Sequence, residues 1–146
     1  MLGQLLVGSL VSAIAIVIHA LATVVAIGVA RAAGRRRGVY PRLHLMGVMV
    51  ATVLVLMLAH TLEIVAWSLS YAVAGAAPAG SDLLYFAFVN YTTLGYGDVT
   101  PVKAWQLLGP MAAMNGILMF GWSTAVLFEV LLKTIEHLGS IDRGRH

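Results

Sequence analysis

The sequence predicts an all-α membrane protein: three transmembrane helices and, between the second and third, a short re-entrant helix with a glycine-rich loop. Three observations predict it. The 146-residue chain is 60% hydrophobic and only 10% charged, where soluble domains carry about a quarter charged residues. Three apolar stretches, starting at Leu2, Leu43 and Ala104, are long enough to cross a bilayer, which takes about 20 helical residues. A further apolar stretch, Leu83 to Tyr91, is too short to cross, so it must enter and leave on one side.

Each element follows in chain order. Residues 1–30 form an accessory helix, interrupted in polarity mainly by Gln4 and His19. No basic residue precedes it and it exceeds a signal-peptide core, so it reads as a retained helix. Residues 31–42 form a loop with Arg31, Arg35, Arg36, Arg37 and Arg42 and no acid. The second helix, 43–75, would run about 50 Å at 1.5 Å per residue, which places its first turns in the interface. Ala, Pro, Gly and Ser at 76–81 break it. Ser81 is the expected N-cap of a short helix over 82–92. The third spanning helix covers 103–135. Pro110 removes one of its hydrogen bonds and is expected to kink it near one end. Residues 136–146 are a short polar tail.

Orientation comes from the arginines. Basic loops stay cytoplasmic, so 31–42 lies inside, the N-terminus outside and the C-terminus inside. The short helix and its loop then dip in from the outer side. Non-helical backbone at that depth survives only where it is buried in protein or lines a water-filled path. The loop, Thr92-Thr93-Leu94-Gly95-Tyr96-Gly97-Asp98, suits such a path. Gly95 and Gly97 reach dihedrals closed to other residues and can turn successive carbonyls the same way. With the Thr93 hydroxyl, those carbonyls make an all-oxygen cation site.

These residues resemble the selectivity filter of potassium channels, commonly Thr-Val-Gly-Tyr-Gly-Asp. Ser81 to Thr92 resembles the pore helix that precedes it. Pro101, Trp105 and the Gly116–Ala125 segment resemble the inner helix of small bacterial potassium channels. The likeness covers roughly residues 45–132 and leaves the first helix as an addition. It implies a homotetramer in a plasma membrane of the bacterial type, four chains being needed to ring an ion. It implies K⁺ held by the carbonyls of Thr93, Leu94, Gly95 and Tyr96 and the Thr93 hydroxyl. Thr92, Gly97, Asp98 and Tyr85 then support the filter. Leu94 stands where valine is commonest. Val89 stands where some relatives carry a glutamate that pairs with the filter aspartate. Tyr85 is expected to hold Asp98 instead.

On the inner helix, Gly116 is the expected hinge or close-packing glycine, with Gly121 one turn further on. Ile117, Phe120, Thr124 and Phe128 share a face and are expected to line the cavity. Glu129 either concentrates cations at the inner mouth or pairs with Lys133 four residues on. Ionisable groups inside a membrane carry a functional hypothesis by default. His60 and Glu63 share a face of the second helix. Glu63 and Asn115 lie at similar depth, about 18 Å at 1.5 Å per residue. Glu63 is expected to bond near Asn115 or the base of the pore helix, as a clamp or a proton-sensitive latch.

The arginine loop is a topology signal and a candidate site for anionic lipid headgroups. Its place against a membrane argues against a nucleic-acid partner. The first helix carries no arginine ladder, which excludes a voltage sensor of that type. With no cysteine, thiolate chemistry is excluded. No catalytic constellation is evident, so an enzyme is not expected. The expected function is passive K⁺ conduction; the alternatives are a cation channel of relaxed selectivity and a non-conducting regulatory subunit.

Overall fold

The computed structural model describes residues 1–34 and 41–143, with side chains placed over 1–32 and 42–136. Its helices are α1 (Leu2–Gly34), α2 (Pro41–Ala74), α3 (Leu83–Tyr91) and α4 (Leu108–Arg143), with a 3₁₀ turn over Lys103–Trp105 before α4. Among the described residues there is no strand. The three long helices are long and apolar enough to cross a membrane.

Local chemistry sets the element ends. Pro41 opens α2, a position where its missing N–H is not needed. Gly75, with φ +61°, closes that helix. Its N–H bonds the Ala72 carbonyl at 3.3 Å and the Ala76 N–H reaches back to Tyr71 at 3.0 Å, the paired bonds of a Schellman cap. The N-cap of α3 is Asp82 rather than the expected Ser81. One Asp82 carboxylate oxygen accepts from the Leu84 and Tyr85 N–H groups, both at 3.0 Å. A carboxylate suits the positive helix end better than a hydroxyl does.

Pro110 does not kink the last helix. The helix starts at Leu108, so Pro110 sits in its first turn, where N–H groups have no partner in the helix to lose. The first bond of the helix is made by the next residue, Met111 to Leu107 at 3.0 Å. The polar tail expected at 136–146 begins as a continuation of α4.

Two bonds fix the topology. The Val102 N–H donates to the Ala76 carbonyl at 2.9 Å, so the chain enters and leaves the α3 unit at one place. The Leu107 N–H donates to Gln4 Oε1 at 2.9 Å, which brings the start of α1 to the same end. The long helices therefore alternate in direction. Helix α1 packs on α2 and α4 of its own chain, and α3 packs on both α2 and α4. The core at the α3 level is aromatic: Trp67, Tyr71, Phe86 and Tyr91 are fully buried beside Leu108 and Ala112. A second core of Ala26, Val48, Leu56, Val126 and Val130 joins the three long helices nearer the α1–α2 connection.

Candidate functional site

The 92–98 stretch leaves the C-terminal end of α3 and takes an alternating backbone. Thr93, Gly95 and Gly97 have φ of 62°, 58° and 79°. Thr93 is the one non-glycine residue with positive φ among those described, an arrangement costing on the order of 1–3 kcal/mol unless its surroundings enforce it. Here they do. Thr93 N–H bonds the Asn90 carbonyl at 3.0 Å, and the N–H groups of Leu94 and Gly95 both bond the Val89 carbonyl, at 3.0 and 3.4 Å. The last turn of α3 thus takes three successive N–H groups. No described backbone N–H bonds the carbonyls of Thr93, Leu94, Gly95 or Tyr96. All residues from Thr92 to Asp98 are exposed in the single chain.

Two side chains brace this backbone. The Tyr85 hydroxyl donates to Asp98 Oδ2 at 2.8 Å, tying the first turn of α3 to the far end of the stretch. That bond holds the Tyr85 phenol above its usual range. Thr92 Oγ1 donates to the Phe88 carbonyl at 2.7 Å. Val89 is buried, and its contribution to the stretch is its carbonyl.

Along α4, Ile117, Gly121, Thr124 and Phe128 are exposed in the single chain and recur at helical spacing. Thr124 turns its hydroxyl onto its own helix, at the Phe120 carbonyl. Phe120 is exposed as well, at 40%, and its ring lies 4.6 Å from the His60 ring and 5.7 Å from the Tyr91 ring, centroid to centroid. Gly116 is a contact point. A Cβ placed there would lie 1.9 Å from the Tyr91 carbonyl oxygen, so no larger residue fits without moving α3. Glu129 forms a 2.6 Å ion pair with Lys133, both side chains more than half exposed. Such a pair contributes little, ~0.3–0.5 kcal/mol.

The mid-membrane polar residues separate into two groups. Asn115 does not meet Glu63; its Oδ1 accepts from Trp67 Nε1 at 3.1 Å, one helical turn away. Glu63 is completely buried. It accepts from the Tyr91 hydroxyl at the base of α3, contacts His19 Nδ1 at 2.8 Å and lies 3.4 Å from His60 Nδ1. His19, Tyr91 and Ser123 are members of the Glu63 group that the expectations from the sequence do not contain. For His19 the signal was available, since it is the one ionisable residue between Leu2 and Ala30. Ser123 carries no such signal among the small residues of α4. Arg31 and Arg42 are exposed in the end turns that flank the basic loop; Arg35, Arg36 and Arg37 lie outside the described residues.

Three bilayer-length helices folded round a re-entrant helix and its loop define an integral membrane protein. Residues 44–133 match the ion channel family, and the chain belongs to it. The match begins in α2 and leaves α1 outside. No curated protein and no solved structure matches the chain. Membership supports ion conduction as its general activity.

Proposed function

We propose that the chain is a potassium-selective channel, passive in mechanism, with Thr93, Leu94, Gly95 and Tyr96 as its filter. The observation that carries this is the 93–97 backbone. Alternate positive φ turns successive peptide planes alike, and α3 consumes the N–H groups of Thr93, Leu94 and Gly95. The carbonyls are left for a ligand that needs only oxygen acceptors, as a dehydrated monovalent cation does. One chain supplies one strand of such a site, so the working unit is a homotetramer with cyclic symmetry. The exposed face of α4, from Ile117 through Thr124 to Phe128, then lines the path below the filter, and the exposed Tyr96 ring meets a neighbouring subunit. The α3 carbonyl end faces the same path, where its partial negative charge favours cations.

The arginine-rich loop is cytoplasmic in this reading, with Arg31, Arg35, Arg36, Arg37 and Arg42 against anionic lipid headgroups. The filter opens to the outer side. Purified chain in liposomes tests the proposal. A reversal potential that follows the K⁺ gradient and ignores Na⁺ is expected. Equal permeation of the two ions would replace it with a general cation channel, and no flux from the chain alone would reject it.

A further inference from the structure

Five side chains from four helices close a ring that the 92–98 stretch does not use. Glu63 Oε1 meets His19 Nδ1, and Glu63 Oε2 accepts from the Tyr91 hydroxyl. The Tyr91 oxygen lies 3.1 Å from His60 Nδ1. His60 Nε2 lies 2.9 Å from Ser123 Oγ, and Ser123 Oγ lies 3.3 Å from His19 Nε2. Around the ring the order is Glu63, His19, Ser123, His60, Tyr91 and back to Glu63. His19, Glu63 and Tyr91 are fully buried, Ser123 is 7% exposed, and the His60 side chain is 13% exposed.

Each of the five contacts needs one proton between its heavy atoms. With Glu63 ionised and both imidazoles neutral, the groups bring four: one each from His19, Ser123, His60 and Tyr91. The ring is one proton short. Wherever the gap falls, two lone pairs face each other out of reach of bulk water, an arrangement that carries a desolvation penalty. A fifth proton closes every contact. It can rest on Glu63 or on either imidazole without changing the count, and it brings the net charge of the ring from −1 to zero. In a membrane interior the neutral ring is the favoured one.

Among the described residues, the surroundings offer no other way to balance the charge. The titratable groups facing Glu63 are His19 from α1, His60 from its own helix and Tyr91 from α3; α4 contributes only the Ser123 hydroxyl. Its ion pairs among the described residues are with the two histidines alone. The rings of Trp122 and Phe120 pack against His19 and His60. The ligand atoms of His19, His60 and Glu63 also lie within 4.8 Å of one another. In the closed ring, however, both nitrogens of each imidazole are engaged, which suits a proton better than a metal ion.

We infer that this ring is a proton-binding site that takes up one proton per chain and, when filled, holds the base of the pore helix in place. Tyr91 is the connection. Its hydroxyl belongs to the ring, its carbonyl presses on Gly116, and it stands two residues before Thr93. Loss of the proton weakens the hold on Tyr91, and the filter loses its support from behind. Conduction therefore falls as pH rises. The flux consequence rests on the potassium-channel reading; the proton count does not.

Two measurements on the full-length protein test it. The first is the histidine ring-nitrogen spectrum of the purified ¹⁵N-histidine-labelled protein, followed from pH 4 to 10. His19 and His60 are expected to change together, with one midpoint and one proton between them. Independent midpoints, or no change in either signal, would overturn the inference. The second is K⁺ flux from liposomes over the same range. Wild type is expected to lose about fivefold or more on the alkaline side, within the usual range of coupling between two sites. In Glu63→Gln the amide supplies the fifth proton from its own N–H and still accepts from Tyr91, so the ring closes without titration. That variant is expected to hold its flux within about twofold across the range; a wild-type-like profile in it would overturn the inference. Ser123→Ala removes two contacts and one donor, so three contacts meet three protons and the shared one-proton step of the histidines should be lost; its persistence would overturn the inference. The spectrum needs neither a variant nor conduction, so coupled histidines in a protein that passes no K⁺ would reject the channel reading and leave the proton site standing.

Discussion

Gly116 shows what a single residue decides here. Its hydrogen allows α4 to touch the Tyr91 carbonyl, and a methyl group would sit at 1.9 Å from that oxygen. The obstacle is backbone, which cannot swing aside. Gly116→Ala is therefore expected to destabilise the folded protein by about 1–3 kcal/mol and to lower its thermal midpoint in detergent. Gly121 has nothing within 4 Å. Gly121→Ala should leave that midpoint unchanged or raise it slightly, since alanine is the better helix former by ~1 kcal/mol. Equal effects of the two substitutions would mean that Gly116 bends rather than packs. Tyr85 belongs to the same scale. Its hydroxyl is the tie between α3 and Asp98, and with its phenol held above the usual range it stays a donor through neutral pH and is lost only at strongly alkaline pH. Tyr85→Phe removes the tie and leaves the ring. Sustained current is expected to decay severalfold faster, with little change in thermal midpoint because the group is exposed. Unaltered decay would show that Asp98 needs no holder.

At the scale of elements, the helices and the re-entrant unit were legible, and the details that were not have local causes. Hydropathy and length placed all three spans, because the bilayer fixes how long they must be. The boundary of α3 was misplaced by one residue because Ser81 and Asp82 are both good caps, and only the backbone geometry chooses between them. A helix starting at 103, as the sequence suggests, puts Pro110 in its interior. The 3₁₀ turn over Lys103–Trp105 moved the true start, and a proline that would break a helix interior became harmless in its first turn. The cap can be tested directly. Asp82→Ala should cost about 1 kcal/mol, read as a lower thermal midpoint, and Ser81→Ala should cost nothing measurable. The reverse order would return the cap to Ser81. The Tyr85–Asp98 bond was foreseeable because both residues lie in one local unit. The pairing of His19 with Glu63 was not, since their sequence separation of 44 crosses a connection whose geometry no periodicity reveals.

That pairing changes how the whole molecule should be divided. The family match covers 44–133, which makes α1 look like an appendage to a complete pore domain. The contacts say otherwise. His19 supplies the partner of Glu63 Oε1 and half of the Ser123 contact. Gln4 bonds the Leu107 N–H before α4, and Gly8 lies directly against Met111. Without α1, Glu63 keeps its carboxylate in the interior but loses an imidazole, and removing one member of a buried pair costs about 3–5 kcal/mol. A chain beginning at residue 41 is therefore expected to be markedly less stable than the full chain, although it contains every residue of the family match and of the 92–98 stretch. Its thermal midpoint should fall by more than that of the full-length His19→Gln protein, which loses the imidazole but keeps an amide in its place and keeps the helix. Size-exclusion chromatography after stepwise heating reads both proteins alongside the wild type. If the shortened chain matches the wild type, α1 is a separable addition and Glu63 is held well enough by His60 and Tyr91 alone. If it matches His19→Gln, the ring is all that α1 contributes. The expected order, wild type above His19→Gln above the shortened chain, would make the three-helix unit, rather than the matched segment, the smallest stable channel subunit.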